Sequence, residues 1–405
     1  MAFVLWIKDF RNQKSGVIFG LFILYSCVTQ AVITKSSDIV KQRVYYERFL
    51  EADLSFIDFI NLLYSTETYV RFKNFDIVES GLWFILSIFN ASTFWLDFGM
   101  GLLFALVFTY NLKHVMPYVK RLEIKQGYLC LLFFLFIAPF WLITGFRFHF
   151  ATLLAFTAYV QFYLVGKKRR GLFFLALAPF SHFGYWFILP LPFLFHLLRR
   201  FKWVALIFAI TLNFMSNTGL FKIVLNAGKA YVPQELFSQG EDYVSDEKIE
   251  KSAKNSNKGK SLHAAYYQEA AHLFIFFAAV ALFFHLNYKI PPSGHLTHLS
   301  QNLNIVLFLS GTTGLLDTIP GAKRFEVLEQ MMFFIVMLQF FVFTKDSNRK
   351  RQFPTIIKLV SPLAFFWLIV EFRKVFDLFS VATLLGNPLT AFFLNDVALI
   401  ELIKW

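Results

Sequence analysis

The chain has 405 residues, 57 % of them apolar, with 56 phenylalanines and a formal charge of +13. Soluble domains are ~45–50 % apolar, so a single soluble core is excluded and lipid is the expected solvent. The charge does not imply a nucleic-acid partner, because Lys and Arg fall in short clusters between apolar runs, the pattern that orients membrane spans.

The expected fold class is all-α, a polytopic transmembrane helical bundle of about 11–12 spans or re-entrant helices. It forms one integral membrane domain over residues 1–405, with structured external loops. Cys27 and Cys130 both lie inside apolar runs, which suggests neither a disulfide framework nor a zinc site. The first apolar run lacks a small-residue cleavage pattern and reads as an anchor.

Lys8, Arg11 and Lys14 precede the run 17–34, which places the N-terminus in the cytoplasm and residue 35 outside. Residues 35–78 are charged but carry Phe49, Leu50, Leu54, Ile57, Phe59, Ile60 and Leu63 at helical spacing, an external amphipathic segment lying on the membrane or over the bundle. The run 79–112 is too long for one span and too short for two. The cations from Lys113 to Lys125 require an odd number of crossings, so 80–91 reads as a short interfacial or re-entrant helix and 94–112 as the span.

Spans 127–145 and 149–166 follow, joined by a tight external turn, and lead to the cluster Lys167 to Arg170. The apolar segment 171–198 has basic residues at both ends and His182 at its middle, so two short helices meeting near His182 and Gly184 are expected, with Pro179, Pro190 and Pro192 as kinks. The run 203–220 leads out to a large external polar loop, 221–269, whose SAKNSNKGKS stretch has loop composition. Spans at 270–288, 301–318, 326–344 and 355–371 complete the bundle, and the tail 372–405 contains helix broken at Gly386-Asn387-Pro388.

On this topology the short external turns at 145–149 and 319–325 hold three cations that break the positive-inside pattern: Arg147, Lys323 and Arg324. A guanidinium is a rigid fork of donors suited to phosphate oxygens. Two arginines beside His182 suit a lipid-linked diphosphate, with the arginines on the leaving group and the histidine on the attacking hydroxyl. Each residue also has a plainer role: Arg147 reaching lipid headgroups, His182 as packing, Lys323 as a headgroup contact, and His149 as an interface histidine. Asp38, Tyr45, Tyr46 and Glu47 suit sugar hydroxyls or simple solvation. His263, His272, His285, His295 and His298 show no ligand-like spacing with carboxylates, so no metal is expected, and most charges are expected at the surfaces. No nucleotide-binding loop is found, so no cofactor is expected.

The order of features resembles the EpsG/Wzy-type oligosaccharide repeat-unit polymerases of bacterial surface-polysaccharide pathways. The similar elements are the segment Asp38 to Phe49, Glu79-Ser-Gly-Leu-Trp-Phe, Arg147 opening a span after a tight turn, His182-Phe183-Gly184 and Arg324-Phe325. The resemblance implies a metal-independent glycosyltransferase of the GT-C-like membrane type on the external face of the cytoplasmic membrane. It would move a glycan from undecaprenyl diphosphate to another lipid-linked repeat unit, with a chain-length regulator as a possible partner. Arg147 and Arg324 would bind diphosphate, His182 would act as base or acceptor-positioning group, and Lys323, Asp38, Tyr45, Glu79 and His149 would contact substrate. A flippase of lipid-linked oligosaccharides, an O-antigen ligase-like transferase and a membrane acyltransferase are the competing classes. A clear internal repeat, which would favour a transporter, is not seen.

Overall fold

Apolar periodicity and the punctuation between the runs dictate the elements of the computed structural model. It describes residues 38–63, 76–122, 134, 145–186, 202–214, 262–289, 294–316, 325–346 and 355–378. Two compact units form, one of residues 1–189 and 372–405 and one of residues 190–371.

In the first unit, helix α1 is Asp38–Glu51 and α2 is Phe56–Leu63. Helix α3, Ile77–Ile88, starts from extended Asp76. It ends where Asn90 turns left-handed at φ 47, a conformation Asn tolerates better than other side-chain-bearing residues. Extended Ser92 then opens α4, Thr93–Val119. The run 79–112 is therefore a short helix followed by a long one, as its length and flanking charges require.

Helix α5, Phe146–Tyr159, runs into a π turn over Val160–Val165. Gly166, at φ 76, ends it where only glycine is unstrained. The basic cluster then enters α6, Lys168–Ser181. Pro179 sits in the last turn of α6, and the chain leaves the helix at extended His182 before a 3₁₀ turn, Phe183–Trp186. Helices α5 and α6 pack along each other, and Phe134 fills the space between Phe108 of α4 and Phe156 of α5.

The second unit contains α7 (Lys202–Phe214), α8 (Leu262–Phe284, extended by a π turn over His285–Lys289), α9 (Gly294–Leu316) and α10 (Glu326–Asp346). Helix α11 is Thr355–Leu378. Small residues let α7 and α9 approach closely, as they do in membrane bundles. A Cβ on Gly311 would meet Phe208 Cδ1 at 2.9 Å and the Ala209 backbone at 3.0 Å. The Phe208 and Phe308 rings stack beside them at 4.3 Å.

No strand occurs among the described residues. Four helices among the described residues are long and apolar enough to cross a membrane: Thr93–Val119, Phe146–Val165, Gln268–Asn287 and Glu326–Phe343. The expected spans 17–34 and 127–145, the loop tip 252–261 and the tail beyond 378 lie outside the described residues, apart from Phe134 and Gly145 within 127–145.

Gly311→Ala should lower stability by about 1–3 kcal/mol, because its new methyl faces backbone that cannot yield. Gly81→Ala, where an added Cβ meets nothing within 4 Å, should be neutral or gain about 0.5–1 kcal/mol of helix propensity. Thermal challenge of detergent-solubilised protein, read by size-exclusion fluorescence, compares the two. Equal melting of both variants would contradict the packing described.

Candidate functional site

Two acids precede or open α3 at an i, i+3 spacing that puts both on one side of its first turn. Asp76 and Glu79 are 3 % and 1 % exposed. Both turn to Arg147 in the first turn of α5: Asp76 Oδ2 accepts from Nη1 at 3.1 Å, and Glu79 Oε2 lies 3.4 Å from Nε. The guanidinium itself is 30 % exposed. One guanidinium thus faces two buried carboxylates. The carboxylates fix where the guanidinium fork points, and they weaken the positive potential it offers to an anion.

The end of α6 comes to the same place. Ser181 Oγ donates to the Arg147 carbonyl at 3.3 Å, which ties the end of α6 to the start of α5. The next residue is His182, whose ring stands edge-on to Phe148 at 5.1 Å. Phe148 also touches Tyr185, whose hydroxyl is hydrogen-bonded to Thr152 of α5. Arg147 and His182 are therefore held at one end of the α5–α6 pair, through their sequence neighbours. Gly184 N–H donates to His182 Nδ1 at 3.1 Å. With Nδ1 accepting, the neutral ring carries its proton on Nε2 and is a donor there. That bond is worth about 1 kcal/mol, enough to prefer this tautomer.

A second clamp attaches α1. Arg43 binds Asp97 of α4 with Nη2–Oδ2 at 2.5 Å and Nε–Oδ1 at 3.4 Å. The Tyr46 hydroxyl donates to the Ala91 carbonyl at 2.7 Å. Burial raises the Tyr46 phenol above its ordinary range, so it stays a neutral donor.

Of the residues expected to contact substrate, Glu79 joins Arg147 directly. Tyr45 is half-buried under the Arg48 guanidinium, 5.9 Å from its ring centroid. His149 stands edge-on to Phe148 at 5.6 Å, and Asp38 opens α1. Lys323 and Arg324 lie outside the described residues. The sequence reading missed Asp76, although an acid three residues before Glu79 at a helix start was the available signal.

In the second unit His272 has a carboxylate partner far away in the chain, which sequence spacing could not show. His272 Nδ1 lies 3.1 Å from Glu329 Oε2 and its Nε2 lies 2.6 Å from Asn213 Oδ1. Thr313 donates to the same Glu329 oxygen at 2.7 Å. Asn213 Nδ2 donates to the Ala209 and Ser310 carbonyls, which fixes its oxygen toward His272 and makes Nε2 a donor. One proton is left for the Nδ1–Oε2 axis, so the pair is neutral as a whole. Asp97, Glu326, Glu329 and Glu371 are all buried in helices, so charge is not confined to the surfaces.

The fold and this arginine–carboxylate–histidine cluster define a polytopic helical membrane protein with a polar site at the end of a helix pair. The EpsG family model matches residues 43–380, and the chain belongs to the EpsG family, which is associated with polysaccharide polymerases of the membrane. No curated protein and no solved structure matches it.

Arg147→Met should destabilise the protein by about 3 kcal/mol, because two buried carboxylates lose their cation. Adding Asp76→Asn and Glu79→Gln should return most of that loss. The melting of the three-residue variant against Arg147→Met checks it, and no recovery would mean that the ion pairs do not carry the clamp.

Proposed function

We propose that the protein is a bacterial surface-polysaccharide polymerase. It transfers a growing glycan from undecaprenyl diphosphate to a lipid-linked repeat unit on the external face of the cytoplasmic membrane. Its N-terminus lies in the cytoplasm, in keeping with the short Lys/Arg-rich segments that alternate along the chain. The observation that carries the reading is the Arg147 fork, aimed by Asp76 and Glu79 at the same helix end as His182.

In this mechanism Arg147 and Arg324 bind the diphosphate and take the charge that a metal ion carries in other transferases. The bond from the sugar anomeric carbon to diphosphate breaks, and its electron pair goes to the diphosphate oxygen. The acceptor hydroxyl forms the new bond to that carbon, and its proton passes to the released diphosphate. Of the two roles open to His182, the Nδ1 contact with Gly184 favours acceptor positioning: Nε2–H donates to a substrate oxygen and holds it in line. Asp76 and Glu79 lower the positive potential that Arg147 offers, and Arg324 as a second cation adds grip on the diphosphate in this mechanism.

The test is the length distribution of polysaccharide made by cells carrying Arg147→Lys, Arg324→Ala, His182→Ala or His182→Gln at matched protein levels. Arg147→Lys keeps a charge for Asp76 and Glu79 but loses the bidentate fork, so long chains should fall away while the protein persists. His182→Gln retains an amide donor and should outperform His182→Ala. Full-length ladders from all four variants would overturn the polymerase reading. Accumulation of untransferred single units on the cytoplasmic side would assign the chain to the flippases.

A further inference from the structure

The helix pair α5–α6 has a second end, away from Arg147 and His182. There α5 passes through its π turn to Gly166, and α6 starts at Lys168. The Lys167 N–H donates to the Gln161 carbonyl at 2.8 Å, and the Phe162 ring lies against Gly171. Helix α4 joins the same end through Tyr110, which meets Phe174 of α6 at 5.6 Å and its own His114 at 4.9 Å. Arg170 stands one turn before Phe174, and Lys113 directly precedes His114, so cations of two helices gather here. Lys113, Lys167 and Arg170 all lie within electrostatic reach of the His114 ring.

Nothing on these helices offsets that charge. Lys113, Lys167, Lys168, Arg169 and Arg170 are exposed, and none forms an ion pair among the described residues. The one acid of α4 is Asp97, which Arg43 holds, and it lies about 24 Å from Lys113 along the helix at 1.5 Å per residue. The sequence contains no Asp or Glu at all from 124 to 234. Lys167 to Arg170 also stand at the N-terminal end of α6, where free N–H groups add positive charge and the first turn has no acid. Membrane sorting accounts for cations between spans. It does not account for like charges from two helices meeting on the positive end of a third dipole-bearing element. Polar capacity is also unmet at this end: His114 Nε2 and both ends of the fully buried Gln161 amide have no hydrogen-bond partner.

We propose that this end of the α4, α5 and α6 cluster binds the headgroup phosphate of an anionic phospholipid, held by Lys113, Lys167 and Arg170 with the first-turn N–H groups of α6. The phosphate neutralises cations that otherwise repel one another, and it bridges α4 to α6 where the protein supplies no acid to do so. A lipid fits better than a soluble anion because exposed Leu172 and Phe173 follow the cations at once along α6. A phosphate carried on acyl chains meets both surfaces, whereas a free phosphate meets only the charged one. The site is independent of the reaction catalysed at the other end of the pair.

The full chain, stripped of lipid in detergent and captured on resin, is titrated with phosphatidylglycerol or phosphatidylcholine, and the retained lipid is counted. Phosphatidylglycerol should bind more tightly, and high salt should weaken it, since the cations are exposed. Lys113→Gln, Lys167→Gln and Arg170→Gln together should weaken phosphatidylglycerol binding roughly fivefold for each cation removed, about 1 kcal/mol apiece. Phosphatidylcholine binding should not move. The charge-retaining set Lys113→Arg, Lys167→Arg and Arg170→Lys should keep the preference, as should removal of three cations elsewhere by Lys41→Gln, Arg48→Gln and Lys358→Gln. Equal binding of the two lipids, parental binding by the first set, or an equal loss in either control set overturns the proposal. Displacement of phosphatidylglycerol by millimolar inorganic phosphate assigns the site to soluble anions and overturns the lipid.

Discussion

Everything at the site depends on one cation shared by two anions. Arg147 is the point at which α3 and α5 are joined, and the joint is electrostatic, with Asp76 and Glu79 almost fully buried against it. Burying two carboxylates beside one guanidinium is unfavourable unless that guanidinium stays in place, which constrains its orientation. The same constraint explains why the short helix α3 exists at all. At 12 residues it is marginal by itself, and it is held by its acids at one end and by the Tyr46–Ala91 bond, at the turn following it, at the other.

The helical, membrane-embedded character of the chain was legible because lipid imposes a length and composition that a single pass along the residues detects. The division of 79–112 followed from counting charges, and the break at His182 from basic clusters at both ends of one apolar run. Arg147 was marked as a cation in a short external turn, His182 as an imidazole in the middle of an apolar segment, and Glu79 through the family resemblance. Their roles were less legible. The Arg147–Asp76 pair spans 71 positions, and no periodicity encodes a contact between helix ends so far apart in the chain. Glu79 read as a substrate ligand because its partner was invisible. His272 was set aside because its carboxylate is 57 positions away on another helix.

The two units place buried charge in different ways. The first exposes part of its guanidinium beside two buried carboxylates, an arrangement suited to binding and release. The second closes its histidine and glutamate into a neutral pair, with Asn213 on the imidazole and Thr313 on the shared carboxylate oxygen, while Glu329 Oε1 is buried with no hydrogen-bond partner. Nε2 of His272 is occupied as a donor, so that ring has no base to offer without losing Asn213. Of the two histidines, His182 is the one whose setting suits contact with a substrate.

The neutral pair also bears on how the chain enters the bilayer. Helices α8 and α10 reach the translocon at different times, so His272 and Glu329 each pass into lipid before the other can answer it. An ionised side chain without a partner at that stage costs several kcal/mol. The contacts of His272 with Glu329 and Asn213, and of Glu329 with Thr313, exist only once α7, α8, α9 and α10 have come together, so the polar lock is the last part of the second unit to close.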